Sequence, residues 1–179
     1  RRYREGEVRF DGVLDDYAFF AWALCELFLS DFDPKWILAA EKIVSVMVED
    51  FWDNECGGFF FTSSQSEKLI ARKANFYDGA TPAGNSVAFL VLNILHRISG
   101  KASYAELAQK VSLCALRDLR QHPSGTNFFA SAAFMTLGGA FDLIIATDST
   151  ELSPSIQSLW QDFLPNALLL QKGPAHNIE

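Results

Sequence analysis

Two kinds of apolar segment alternate along this chain, and their alternation restricts the folds open to it more than any other feature. Residues 17–29 (Tyr-Ala-Phe-Phe-Ala-Trp-Ala-Leu-Cys-Glu-Leu-Phe-Leu) are apolar around nearly the whole helical circumference, the pattern of a helix buried on both faces. After Asp33-Pro34, a good helix start, Trp36, Ile37, Ala40, Ile43, Val44, Met47, Val48 and Phe51 form a single stripe opposite Lys35, Glu41, Lys42, Ser45 and Glu49. The pattern then recurs. Residues 87–98 are apolar on most sides, whereas the next helix turns Tyr104, Leu107, Ala108, Val111 and Cys114 inward and Glu106, Gln109, Lys110, Arg117 and Arg120 outward. A third all-apolar helix spans 128–137. The order is inner, outer, inner, outer, inner.

An offset of 68 residues aligns Trp36 with Tyr104, Ala40 with Ala108, Lys42 with Lys110 and Ile43 with Val111, and places Asp16-Tyr17 on Gly84-Asn85. Repeated helical hairpins cannot bury their faces singly, so they stack into a solenoid or close into a ring. The segments preceding the first two inner helices, around 14–19 and 77–86, are therefore equivalent and share one rim. Between these hairpins, 57–62 and 68–72 flank a polar turn and predict a β-hairpin. After Gly138-Gly139, two strand-like runs, 141–147 and 167–170, enclose a short helix opened by Ser153-Pro154, which predicts a small βαβ unit. The expected organisation is a unit of helical hairpins over 1–140 and an appendage over 141–179.

Composition narrows the function. Acidic residues outnumber basic ones by 22 to 15, for a net charge of −7, and no Lys/Arg stripe offsets this, so no nucleic-acid partner is expected. No run reaches the roughly 20 apolar residues that cross a bilayer. The first residues lack the apolar stretch of a signal peptide, and a cytoplasmic location is the default expectation. Cys25, Cys56 and Cys114 include no Cys-x-x-Cys pair; Cys25 and Cys114 read as small core residues and Cys56, beside Gly57-Gly58, as an accessible loop thiol. No metal or cofactor is implied, since no His/Cys/Asp cluster has ligand spacing.

Three spaced motifs, Leu-Asp-Asp-Tyr-Ala-Phe (14–19), Phe-Trp-Asp (51–53) with Gly-Gly-Phe-Phe-Phe-Thr (57–62), and Tyr-Asp-Gly-Ala-Thr-Pro-Ala-Gly-Asn-Ser (77–86), together with Phe-Leu-Pro-Asn (163–166), resemble the YyaL/spermatogenesis-associated protein 20 family. The resemblance covers most of the chain. It implies a mainly α fold, part of an (α/α)6 six-hairpin toroid related to glycosidases and sugar epimerases, and a thioredoxin-like domain as partner in the full-length protein. The chain has about five toroid helices and no thioredoxin-like segment, so it reads as a C-terminal part of such a protein. An incomplete ring leaves apolar helix faces open, and self-association is expected.

The rim supplies the candidate chemistry. Glycoside hydrolysis generally uses two carboxylates, and Asp16 and Asp78 are the candidate catalytic pair. Asp15 and Asp16 are adjacent, so only one would face a cavity while the other caps the helix. Asp78-Gly79 equally suits a turn, with Asn85 or Ser86 capping the helix that follows. For a carbohydrate ligand, Asp15, Tyr17, Tyr77, Asn85 and Ser86 offer hydrogen bonds, while Trp52 and Phe59, with Phe61, offer stacking faces. An epimerase needs a proton-abstracting base, commonly histidine in the related sugar epimerases, and the three histidines are poorly placed: His96 falls about 20 Å along its helix from the rim. The expectation is carbohydrate binding or hydrolase-like processing through rim carboxylates, with a non-catalytic scaffold as the alternative.

Overall fold

The computed structural model describes residues 2–9, 11–66, 72–149 and 151–173. Its helices are α1 (Leu14–Asp31), α2 (Pro34–Phe51), α3 (Gly84–Ser99), α4 (Ala102–Gln121), α5 (Asn127–Leu137) and α6 (Pro154–Leu159), and its strands are β1 (Arg2–Arg4), β2 (Glu7–Arg9), β3 (Phe141–Ala146) and β4 (Ala167–Lys172). The fold is mainly helical. Helix α1 packs on α2 and α3, and α3 packs in turn on α4 and α5. The inner helices α1, α3 and α5 thus stand side by side, and α2 and α4 back them, an arrangement compatible with part of a helical toroid. The 68-residue offset carries Pro34, the first residue of α2, onto Ala102, the first of α4.

Local chemistry sets the helix boundaries. Asp33 caps α2, its carboxylate accepting the Lys35 N–H at 3.0 Å, with Pro34 at the first helical position. Helix α1 stops where Phe32 turns left-handed (φ 58°) and returns its N–H to the Phe28 carbonyl, and α3 stops at Gly100 (φ 70°) in the same way. The Phe32 ring is itself buried, which compensates an otherwise unfavourable backbone for a bulky residue.

The inner helices differ in burial because they differ in neighbours. Helix α3, with α1, α4 and α5 around it, is buried from Gly84 to Leu92 and again at Ile94 and Leu95. Helix α1 is not buried on all sides as its composition predicts: Phe20 and Leu27 are 56% and 43% exposed. Phe134 of α5 is likewise exposed. Each of these two helices has α3 along one flank and no second inner helix, among the described residues, along the other. Phe129 holds the α3–α5 seam, with its ring 4.6 Å from Phe89 and 5.6 Å from Phe76.

Strands β3 and β4 are parallel, with Phe141 opposite Ala167 and Ala146 opposite Lys172, and α6 lies between them in sequence. The βαβ unit is fastened to α3 by Arg97, whose guanidinium donates to Asp142 Oδ1 and to the Phe141 carbonyl at 2.8 Å. A 180 Å³ apolar cavity bordered by Leu29, Ile94, Met135 and Leu168 shows that this unit closes the C-terminal end of the inner helices. Among the described residues, no helix is long and apolar enough to cross a membrane.

Two features depart from the sequence reading. The first is a hairpin, β1–β2, turning through Glu5 and Gly6 at φ 52° and 84°. Two successive positive φ angles are the signature of a primed turn, and the alternation of Tyr3 and Val8 about Glu5-Gly6 is its only sequence signal. The second concerns 57–72. In place of a hairpin arm, 57–62 makes isolated antiparallel bridges, Phe59 with Trp52 and Phe60 with Ala74. Of the expected second arm, 68–71 lie outside the described residues.

Candidate functional site

The starts of α1, α3 and α5 meet at one rim, and each expected carboxylate there has a distinct place. Asp16 faces away from the site. Its Oδ2 accepts the Val13 N–H at 2.9 Å, reaching back over the first turn of α1. The N-cap residue, Val13, has no side-chain acceptor, so Asp16 and the Phe61 carbonyl, which accepts the Leu14 N–H at 2.9 Å, hold the start of that helix.

Asp78 serves two helices at once. Its Oδ1 accepts the Ala83 N–H at 2.8 Å, just before α3, while Oδ2 accepts the N–H groups of Phe128 and Phe129 at 2.9 and 3.1 Å. Thr126, the N-cap of α5, makes no side-chain cap of its own. Asp78 is therefore a remote N-cap, brought in from fifty residues upstream, and both its oxygens are engaged.

Asp15 is the carboxylate that reaches the cavity. It is half-buried on the wall of a hollow of about 220 Å³, lined also by Phe61, Asn75, Tyr77, Thr81 and Pro82. Burial raises its pKa above the ordinary carboxylate value; the adjacent Asp16 charge adds to the rise, and a hydrogen bond from the Gly84 N–H opposes it. Gly84 is required at this point. A Cβ there would collide with the Asp15 carboxylate and lie 2.9 Å from Leu14 Cγ. Gly84→Ala should therefore destabilise the protein by about 1–3 kcal/mol in urea denaturation, the usual range for overpacking; an unchanged midpoint would show that α1 yields without strain.

The other expected ligand residues divide by burial. Tyr77, 63% exposed, stands at the cavity mouth with Phe61, 48% exposed, so these two offer the free aromatic faces. Phe59 does not. It is fully buried and meets Trp52 edge to face at 4.9 Å, and neither ring borders the cavity. Tyr17 packs against Phe51 at 5.1 Å. Asn85 borders the cavity, yet its amide is turned into the protein: Oδ1 accepts the Phe59 N–H, and Nδ2 donates to the Phe59 and Asn75 carbonyls. Ser86 is buried, and its hydroxyl has no hydrogen-bond partner among the described residues. Asn85 and Ser86 are thus both buried, and the Asn85 amide is committed to backbone partners.

The cysteines also depart from expectation. Cys56 and Cys114 form a disulfide, with Cα atoms 5.3 Å apart, inside the range this bond allows. It ties the loop after α2 to α4. Cys25 is free and buried, its thiol pushed up to about 12 chiefly by burial. Among the described residues, no three His, Cys, Asp or Glu side chains are grouped so as to hold a metal ion.

The chain is similar to known proteins over most of its length. Rat (Rattus norvegicus) spermatogenesis-associated protein 20 is 24% identical over 162 residues, covering 89% of this chain. The mouse (Mus musculus) protein of that name is 30% identical over 96 residues, 53% of the chain. Over most of its length the chain is similar to spermatogenesis-associated protein 20. An uncharacterized Caenorhabditis elegans protein is 26% identical over 183 residues, 96% of the chain. The chain spans only 20% of the rat spermatogenesis-associated protein 20, 12% of the mouse protein and 25% of the nematode one. No family model matches it.

Proposed function

We propose that the rim cavity binds a small polyhydroxylated ligand of carbohydrate type and that Asp15 is the carboxylate that meets it. One observation carries this reading: a half-buried carboxylate lines a hollow that also presents the polar groups of Tyr77, Thr81 and Asn75 and the exposed ring of Phe61. Polar groups that orient a ligand, beside an aromatic face, are the usual furniture of a small-molecule site. The hollow corresponds to the liquid volume of roughly seven waters, the scale of a single sugar ring.

The same geometry argues against hydrolysis by Asp16 and Asp78. A glycosidase acid must hold a proton toward the leaving oxygen, and its partner must have a lone pair free for water or the sugar carbon. The oxygens of Asp78 are occupied by three backbone N–H groups, and Asp16 closes the first turn of α1. Within this segment the chemistry is binding. Asp78's grip on α3 and α5 favours, as the second reading, a scaffold that presents its surface to a thioredoxin-like domain in a longer protein.

A glycan and sugar-phosphate binding screen separates the two. Binding that is lost in Asp15→Ala and kept in Asp16→Ala is expected. A bound sugar indifferent to Asp15→Ala would overturn the site, and no sugar bound at all would favour the scaffold.

The Asp15 carboxyl also makes a test independent of ligand. Its raised pKa means the folded protein holds this proton more tightly than the unfolded chain does, so its contribution to stability falls as pH rises from the ordinary carboxylate value through the raised one. Asp15→Asn should therefore be more stable than the parent at pH 7, with the difference fading as pH falls below the ordinary carboxylate value, where the carboxyl is protonated in both states. Thermal melts across that range would show it. A variant less stable at pH 7 would mean that the Gly84 hydrogen bond outweighs burial.

A further inference from the structure

A second and larger cavity, of about 570 Å³, lies between the loop after α2, residues 72–76 and α4, and the Cys56–Cys114 disulfide forms part of its wall. Cys56 is exposed and Cys114 half-buried, and both border the cavity. Arg72, Lys73 and Arg117 line the same space against Asp53 and Asp118, with His122 at the edge. The carboxylate of Asp53 is buried, and its Oδ1 accepts the N–H groups of Glu55 and Cys56. Arg72 is held in place by the Thr62 carbonyl and the Phe60 ring, whereas Lys73 and Arg117 are exposed. Three cations thus border the sulfur pair against two carboxylates, in a chain of net charge −7.

The backbone is shaped around this bond. Gly57, at φ +86°, lies flat on α4, where a Cβ would come within 3.1 Å of Lys110; a Cβ on Gly58 would come within 3.3 Å of the Cys114 sulfur. Glycines at these two positions let the loop approach α4 closely enough for the 5.3 Å Cα separation.

We propose that Cys56–Cys114 is a thiol–disulfide exchange site whose substrate is an anionic thiol of low molecular weight. Its thiolate attacks Cys56 Sγ. The S–S bond breaks, its electron pair leaves on Cys114 Sγ as a thiolate, and Cys56 is left in a mixed disulfide with the small thiol. A second small thiolate attacks the small-thiol sulfur of that mixed disulfide, releasing Cys56 as a thiolate. The protein gains two electrons, and the two small thiols leave joined as their own disulfide. Cations beside a leaving thiolate stabilise it, and cations at the entrance favour an anionic attacker. Cys25 is sealed in the core and takes no part.

The test uses the native chain and three thiols: reduced glutathione (anionic), 2-mercaptoethanol (neutral) and cysteamine (cationic), each at equal thiolate concentration. Denatured without reductant, the protein should show one titratable thiol, that of Cys25; three would mean the pair is not bonded and would end the proposal. In the native protein, glutathione should expose two further thiols about fivefold or more faster than cysteamine at low ionic strength, with 2-mercaptoethanol between them, and the gap should close in high salt. The Lys73→Glu/Arg117→Glu variant should reverse the order. Equal rates for all three thiols, or reduction only on unfolding, would overturn the assignment. Cys114→Ser, given oxidised glutathione, should carry one glutathione on Cys56 by intact mass and peptide mapping, and an unmodified Cys56 in that folded variant would count against it. Should the variant not fold, the rate order on the parent chain decides alone.

Discussion

Replacing Asp78 with alanine is expected to destabilise the protein by about 3–5 kcal/mol, among the largest losses any single rim substitution produces. Three backbone N–H groups donate to this one carboxylate, from Ala83, Phe128 and Phe129. Bonds to a charged acceptor contribute roughly 1.5–3 kcal/mol each, less than additively here because they share one group. Alanine leaves all three donors without a protein partner and separates the starts of α3 and α5. Asp78→Asn separates hydrogen bonding from mere space filling: its single carbonyl oxygen can serve one helix but not both, so about half the loss should return. Asp16→Ala, which removes one exposed cap, should cost only about 1 kcal/mol. Urea denaturation of the three variants ranks them. Asp78→Ala within 1 kcal/mol of the parent would mean that water replaces the carboxylate freely.

The second large effect is expected at Asn85, where alanine should cost about 3–4 kcal/mol. This amide is 1% exposed and meets the Phe59 backbone from both sides, accepting its N–H and donating to its carbonyl, each at 2.8 Å. It stands in for a neighbouring strand. Alanine would leave the buried N–H and carbonyl of Phe59 unpaired and free the Asn75 carbonyl as well, a heavier penalty than the lost bonds themselves. Asn85→Asp keeps shape and volume yet turns a second acceptor toward the Phe59 and Asn75 carbonyls, so it should be no better than alanine near neutral pH. Amide hydrogen exchange at Phe59 gives the local readout: in Asn85→Ala it should accelerate well beyond what the global loss of stability explains. Exchange that merely tracks global unfolding would show that the Trp52 and Ala74 bridges hold the segment without Asn85.

The helices were legible because their signal is periodic and local. The stripe in 36–51, the near-continuous apolarity of 87–98 and the 68-residue offset need no knowledge of distant residues, and Asp33-Pro34 announces its helix within three positions. What escaped depends on pairings between distant parts of the chain. Asp78-Gly79 looks like a turn followed by a helix, and nothing near it discloses that the start of α5, fifty residues later, will meet its carboxylate. Cys56 and Cys114 are 58 residues apart in sequence, and connectivity over such a distance cannot be deduced from sequence alone. The Phe59 ring reads equally as a stacking platform or as core, and only the fit against Trp52 decides between them. Of the adjacent pair Asp15 and Asp16, one had to cap; which one became clear only when Gly84 was seen to bring α3 up against Asp15.

The side-by-side stance of α1, α3 and α5 has an electrostatic consequence. Each helix carries roughly half a positive charge at its start, and three such ends brought to one place are like poles that repel. Asp15, Asp16 and Asp78 sit at those poles. Their presence turns a repulsive meeting of helix ends into a compensated one, so these carboxylates belong to the assembly of the rim before they belong to any ligand. With its positive ends already matched by carboxylates, this rim has little field left to attract an anion. It is a more welcoming surface for an uncharged, hydroxyl-rich molecule than for a phosphate.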